Sequence, residues 1–432
     1  MIANPSTATT VQTDVFELST LACGTNPQGI RVATATQPYF KGAAIGIYIP
    51  VGSRHETASL NGAAHFIEHL LFKGTPEYSA IDLLKFSEQL GADIEAYTTQ
   101  EYTGLETFGP HDHLEPLLNT LMQMAWCSLF PADEIDKERE VILEEITLGQ
   151  ENPSDYLDEL LAESLWQPHA LGRSIAGSPE SVNGLDRETL MSFWKQHYFS
   201  EDNLIIISSP YSHEQVCQIV SQQLAQLELN FTGHINTSPF EGFRSVETIT
   251  SHQHKPNLEQ THIGIGIPTM SYRSEDTATL TLLNLILGSS MSSRLFVELR
   301  EKQGLCYHIA SHLSLYQDVG ALEVTMGCDL SKVNQSKASL QHVFDSMINQ
   351  PITADELQRA KDFHLGQVLK SLESSHAHLN WLSQHLLHKG KLISPEQYQT
   401  RINNVSLEQI HTLSQTLFAD TPHYNISLGS EK

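Results

Sequence analysis

Two histidines four residues apart bracket a glutamate in the segment His65-Phe66-Ile67-Glu68-His69. On a helix, the imidazoles of His65 and His69 leave one face and can reach a single ion. Glu68 lies beside them, where it can take a proton from a water that the ion has acidified. That is the chemistry of a metal-dependent hydrolase. The order is H-x-x-E-H, the reverse of H-E-x-x-H. So short a pattern arises by chance in roughly one chain in ten of this composition, so a third ligand is needed to give it weight. Candidates stand in the acidic stretch from Asp133 to Ile146. Glu138 and Glu145 are seven apart and align on one helical face, with Val141 and Ile142 between them. A carboxylate set among apolar residues is costly unless it is paired or bound to a metal. Glu144 fits an exposed face better.

The elements that must hold these side chains are legible around them. Leu60, Ala64, Ile67 and Leu71 form an apolar stripe opposite the histidines, and Gly74 and Pro76 supply a stop. Pro131 and Asp133 open the acidic helix, and Gly149 with Asn152-Pro153 closes it. Strands are expected over Gly46–Ile49, Ala96–Thr107, Leu204–Ser208, Ile263–Ile267 and Ala321–Met326. Helices are expected over Ala64–Lys73, Ile81–Leu90, Leu114–Cys127, Asp133–Leu148, Ala338–Ile348 and Ala354–Glu373. This mixture predicts an α+β fold, each half a mainly antiparallel sheet with helices packed on one face. The chain also repeats. Ala43 to Pro50 resembles Thr261 to Pro268, 218 residues later, and Ala132-Asp133-Glu134 recurs as Ala354-Asp355-Glu356, 222 later. Leu185–Ser208 likewise resembles Val405–Leu428. Two halves of roughly 200 residues follow, with boundaries expected at 1–229 for the metal-bearing half, 230–245 for a polar linker and 246–432 for the second half. At the same offsets His65, Glu68 and His69 fall on Leu283, Ile286 and Leu287, and Glu145 falls on Gln367. The first half would carry the metal and the second only the shape.

Three blocks carry a resemblance: Asn61-Gly62-Ala63-Ala64-His65 through Gly74-Thr75, Glu138-Arg139 through Glu144-Glu145-Ile146, and Leu299-Arg300 through Cys306-Tyr307. Together they resemble the pitrilysin/insulinase family of zinc metallopeptidases, the inverzincins, in the branch of the mitochondrial processing peptidases and their bacterial homologues. The resemblance implies two homologous α/β-roll halves enclosing a chamber. It implies one Zn2+ per chain held by His65, His69 and Glu145, with Glu68 as general base and Glu138 orienting a ligand. Arg300 and Tyr307 would bind substrate and support the oxyanion. Asn61 would stand at the rim of the site while also serving as N-cap of the metal helix. Ala96, Tyr97 and Thr98 would lie on an edge strand that pairs with an unfolded peptide by β-augmentation. Because one chain carries both the zinc half and the Arg/Tyr half, a homodimer is expected, with Arg300 and Tyr307 acting in trans. The implied activity is zinc endopeptidase; the alternative is a non-catalytic structural or partner subunit. The short segment Gly288 to Ser293 departs from the long glycine-rich loop of the non-catalytic processing subunit.

Composition sets the bounds. The 432 residues carry 51 acidic against 25 basic side chains, a net charge of −26. Nucleic acid is excluded as an expected partner, because phosphate contacts need clustered Lys and Arg; cationic peptides would be drawn in. Cys23, Cys127, Cys217, Cys306 and Cys328 are scattered without C-x-x-C, which predicts reduced thiols and a metal not held by sulfur. Met1 to Ile30 has no Lys or Arg and no signal or transit pattern, and no run of 18 apolar residues occurs. A cytoplasmic protein with no membrane partner is expected.

Overall fold

The computed structural model describes residues 8–13, 15–23, 26–243 and 247–430. Residues 1–7 of the N-terminal reading, and positions 244 and 245 of the expected linker, lie outside them. The chain forms two compact units. The first comprises Met1–Thr147, Ser174–Ser238 and Ser371–Ser394, and the second Leu148–Arg173, Pro239–Lys370 and Pro395–Lys432. The units therefore do not follow the contiguous halves 1–229 and 246–432 along their whole length. Each half gives up one helical segment, Pro153–Trp166 from the first and Ser375–Lys389 from the second.

The first unit is built on β1 (Ala8–Gln12), β2 (Phe16–Cys23), β3 (Asn26–Thr36), β4 (Gly42–Ile49), β5 (Asp93–Thr98), β6 (Thr103–Pro110) and β7 (Leu204–Ser209), in the order β1-β2-β3-β7-β4-β6-β5. Among the described residues of this sheet, only β3 and β7 pair in parallel. Alternation assigns the faces. Ile45, Ile47 and Leu105 point to one side, where Phe66, Ile67 and Leu70 of helix Ala63–Leu70 and Leu117 and Leu121 of helix Leu114–Cys127 meet them in one buried core. Gly46 and Tyr48 point to the other side, which helix Ser375–Lys389 covers in addition. The sequence reading of one strand over Ala96–Thr107 is corrected to a hairpin. Thr99 breaks it: its hydroxyl accepts from the amides of Glu101 and Tyr102 and donates to the Tyr102 carbonyl, closing the turn between β5 and β6.

The second unit carries β8 (Ile249–His254), β9 (Gln260–Thr269), β10 (Cys306–Leu315), β11 (Gly320–Asp329) and β12 (Tyr424–Gly429), ordered β10-β11-β9-β12-β8. This repeats β5-β6-β4-β7-β3 strand for strand, down to the parallel outer pair. The expected repeat is thus present in the topology, and β1 with β2 is an addition to the first unit. Gly46 and Gly264 occupy equivalent places. A Cβ on Gly264 would sit 3.3 Å from Leu157, and one on Gly266 would sit 2.7 Å from Leu165, so glycine flattens this face for helix Pro153–Trp166. Helix Thr277–Leu287, equivalent to Ala63–Leu70, buries Leu283, Ile286 and Leu287 where the first unit has His65, Glu68 and His69. The expected linker is pinned rather than free: Ser238 O accepts from Arg54 Nη2, and the Phe240 and Phe243 rings lie against Trp166.

Candidate metal centre

Helix Ala63–Leu70 has only eight residues, too few to hold two imidazoles in place by propensity alone. Its start is fixed from outside. Glu56, 5 % exposed, accepts from the amides of Gly62 (2.9 Å) and Ala64 (2.8 Å) and from Asn61 Nδ2 (3.1 Å), placing a carboxylate on the positive end of the helix. Gly62, with φ of 94°, and Gly177, with φ of 86°, lie against each other. A Cβ on Gly62 would come within 2.8 Å of the Ala176 carbonyl. This corrects the reading of Asn61 as N-cap. The cap position is Gly62, and the Asn61 side chain is buried, its Nδ2 donating to Glu56 and to Ser174 O. At the other end, Phe72 and Lys73 close tighter turns onto His69 and Leu70, and the stop at Gly74 falls where expected.

Helix Ala132–Glu151 supplies the carboxylates. Its buried stripe is Ile135, Glu138, Ile142 and Ile146, whereas Val141, expected between the two acids, is exposed. Glu138 therefore lies inside the stripe and Glu145 beside it, its side chain 47 % exposed. Glu145 Oε2 is 3.8 Å from His65 Nε2 and 3.5 Å from His69 Nε2, and the three ligand atoms all lie within 4.8 Å of one another. Donors on a tetrahedral zinc at 2.0–2.1 Å are about 3.3 Å apart, so the set fits such an ion with only small side-chain adjustment. Two imidazoles and one carboxylate are also the donor set of catalytic zinc, which leaves a fourth position open.

The surroundings bear on which atoms could face an ion. Glu138 Oε2 lies 3.0 Å from His69 Nδ1, which fixes the tautomer and leaves Nε2 as the ligand atom. Lys73 Nζ, 2.6 Å away, holds the other Glu138 oxygen. Burial acts to raise the Glu138 carboxyl, but the hydrogen bonds from Lys73 and His69 outweigh it, and its pKa sits below the ordinary value. His65 is pushed down to about 4, first by burial and then by the neighbouring His69, so it is neutral and able to ligate at pH 7. Glu68 Oε2 and His65 Nδ1 are buried and make no hydrogen bond of ordinary geometry. Burial lifts the Glu68 carboxyl above its usual range; Thr98 of β5 faces it and opposes that shift without reaching hydrogen-bonding geometry.

A sequence profile described as Insulinase (Peptidase family M16) matches residues 31–179, and one described as Peptidase M16 inactive domain matches residues 184–363. The chain belongs to the M16 peptidase family. It is 31 % identical over 414 residues to an uncharacterized zinc protease of Streptomyces coelicolor, covering 95 % of this chain and 90 % of that protein. It is 30 % identical over 403 residues to the uncharacterized zinc protease YmxG of Bacillus subtilis, covering 93 % of this chain and 96 % of the relative. Among solved structures, a protease from Helicobacter pylori superposes with a TM-score of 0.87 at 20 % identity, over 96 % of this chain and 99 % of the other. A Pseudomonas fluorescens structure described as a peptidase M16 inactive domain gives 0.84 at 19 %, over 94 % and 97 %. These likenesses bear out the two-repeat α+β fold. The profile called inactive falls on the region in which Leu283, Ile286 and Leu287 stand at the positions equivalent to His65, Glu68 and His69 of this M16 chain.

The remaining expected residues divide into two groups. β5 is the last strand of its sheet, so Ala96, Tyr97 and Thr98 lie on an edge, beside helix Ala63–Leu70. Thr98 and Ala96 face the helix side. Tyr97 points to the opposite face, where its hydroxyl donates to Glu106 Oε1 at 2.6 Å, alongside the Tyr48 hydroxyl at 2.9 Å. Tyr97 can thus serve a substrate only through its main chain. In the second unit, Arg300 and Tyr307 are brought together by the turn through Gly304: the guanidinium lies 5.0 Å from the Tyr307 ring and 4.6 Å from Phe296, and Tyr307 is 82 % exposed. The sequence reading missed Glu56, Lys73 and Arg54. Arg54 is fully buried, pairs with Glu101 at 2.8 Å and so ties the β5–β6 turn to the segment leading into the metal helix. Glu56 and Arg54 precede the metal helix, where its periodicity does not reach, whereas Lys73, four residues after His69, stood at a helical spacing that could have pointed to it.

Proposed function

We propose that this M16 chain is a zinc endopeptidase acting on unfolded peptides. The observation that carries the reading is the convergence of His65 Nε2, His69 Nε2 and Glu145 Oε2 within 4.8 Å, with the Glu68 carboxyl beside them. A zinc ion held by that set supplies Lewis acidity, polarising a carbonyl and bringing the pKa of water toward neutral. The chain's own groups do the rest. The β5 edge offers main-chain hydrogen bonds to an extended peptide, which hold the scissile bond without demanding a particular sequence. Glu68, buried and poorly solvated, removes a proton from the attacking water and returns it to the leaving amine. Glu138 keeps His69 in the ligating tautomer. Arg300 and Tyr307 support the oxyanion, and we propose that they do so across a homodimer, each pair serving the partner's centre. The net charge of −26 favours basic peptides. No helix among the described residues is long and apolar enough to cross a membrane, and a cytoplasmic location is part of the proposal.

The test is metal analysis together with cleavage of an unstructured basic peptide. One zinc per chain is expected, and Glu68→Gln should keep the metal and lose hydrolysis. Full activity in that variant refutes Glu68 as base. Zinc binding without hydrolysis of any peptide would favour the partner-subunit reading. Mixing Glu68→Gln with Tyr307→Phe should restore partial activity through hybrid dimers; no restoration refutes the trans arrangement.

A further inference from the structure

The two units differ in one respect that their common topology makes visible. In the first, helix His213–Gln226 packs over β3 and β2, its Val216, Val220 and Leu224 joining Val32, Ile205 and Ile207 in the core. His213 is fastened there by Ser19 and Thr34, each at 2.8 Å. The strand registers give the equivalences: Ile205 pairs with Ile47 and Val32, and Asn425 with Ile265 and Thr250; Ile207 pairs with Ile45 and Thr34, and Ser427 with Ile263 and His252. Three apolar positions under the helix, Val32, Ile205 and Ile207, thus correspond to Thr250, Asn425 and Ser427 in the second unit. The floor here is polar, while much of the wall is apolar. A cavity of about 380 Å³ remains, within the range of small-ligand sites.

Its wall is one stripe of helix Val333–Asn349: Lys337, Leu340, Gln341 and Phe344, at i, i+3, i+4 and i+7. Phe344 stacks on Phe418 at 5.3 Å, making one end aromatic. Lys337 makes the other end cationic, about 10 Å away along the helix, and forms no ion pair with a described residue. No Asp or Glu lines the cavity, in a chain with 51 of them. We propose that this cavity binds an amphiphilic monocarboxylate about 10 Å long, its carboxylate at Lys337 and its apolar end against Phe344 and Phe418. The site goes beyond the peptidase reading and does not rest on it, since every residue belongs to the unit without metal ligands.

The experiment is calorimetric titration of the full chain with octanoate, octanol and octylamine. Octanoate should saturate at one per chain, octanol should bind at least tenfold more weakly, and octylamine should not bind. Lys337→Gln should weaken octanoate at least tenfold, and Thr250→Trp, a replacement at an exposed position lining the cavity, should abolish it. Circular dichroism and zinc content should show both variants folded. Octanoate binding should be unchanged by Glu68→Gln and by chelation of the zinc, which keeps the result independent of the peptidase. Failure of octanoate to saturate, equal binding of octylamine, or indifference to both substitutions overturns the proposal.

Discussion

Glu56 is the residue on which the placement of the metal helix turns. Its carboxylate gathers two main-chain amides at 2.9 and 2.8 Å and the Asn61 amide at 3.1 Å, with 5 % of the residue exposed. Glu56→Ala leaves all three donors buried without that acceptor. A hydrogen bond to a charged group contributes about 1.5–3 kcal/mol, and an N-cap alone about 1. The three share one acceptor and are not additive, so a loss of roughly 3–5 kcal/mol is expected. For a domain of this size each kcal/mol shifts Tm by about 2–4 °C, and the metal-free protein should melt roughly 10 °C lower. Glu56→Gln keeps one acceptor oxygen and should lose about half as much. Because the helix has only eight residues and carries both imidazoles, a loosened first turn should also weaken zinc by about tenfold, the scale of losing a residue that orients a ligand. Calorimetry of the metal-free protein and zinc competition against a chelator read the two effects separately. An alanine variant within about 0.5 kcal/mol of the parent refutes the cap. Lost stability with unchanged zinc affinity refutes its positioning role.

Four further outcomes are expected. Glu138→Gln should weaken zinc about 10–100-fold, measured by the same competition, because His69 Nδ1 loses its charged acceptor. Gly52→Ala should destabilise by more than about 2 kcal/mol in thermal melts, since a Cβ there would lie 2.0 Å from the Thr99 carbonyl. Tyr307→Phe should lower kcat with zinc content and Tm unchanged, as the ring is 82 % exposed. The pH dependence follows from His65, whose folded pKa of about 4 lies below its ordinary value of 6.5. The unfolded chain binds the proton first, so stability of the metal-free protein should fall as pH drops from about 6.5 to 4. His65→Gln should flatten that slope in urea titrations, by up to about 1.4 kcal/mol per pH unit.

The candidate metal ligands were legible as a cluster because they ride on helices, where a period of 3.6 converts spacing into a shared face. His65, Glu68 and His69 fall where periodicity puts them, and so does the buried Glu138. Glu145 was harder to place: the apolar stripe ran through Ile142 and Ile146 and left Val141 outside. What the sequence concealed is everything that acts across long separations. Arg54 reaches Glu101 over 47 residues, and Asn61 reaches Ser174 over 113. No local pattern encodes such pairs. The β5–β6 hairpin was missed for a different reason. Its turn uses the Thr99 hydroxyl in place of glycine or proline, so no turn residue marks the break between the two strands.

The exchange of helices was invisible for a physical reason as well. Pro153–Trp166 and Ser375–Lys389 sit 222 residues apart in equivalent places of the repeat, and neither was among the helices expected from the sequence. A helix stripe specifies that an apolar face must be covered, not which sheet covers it. The sheet side of the fit carries more information. Gly264 and Gly266 admit the Leu157 and Leu165 side chains at distances a Cβ would forbid, while the first unit has Gly46 and then Tyr48, whose hydroxyl is committed to Glu106. The two sheets thus accept different helices on the same topological face. Replacing Gly266 by tyrosine, the residue its counterpart carries, should expel Leu165 from its seat and destabilise the second unit alone. Hydrogen exchange should then rise in β9 and β12 and stay unchanged in β4 and β7. Equal protection in both sheets would show that the glycine face does not select its helix.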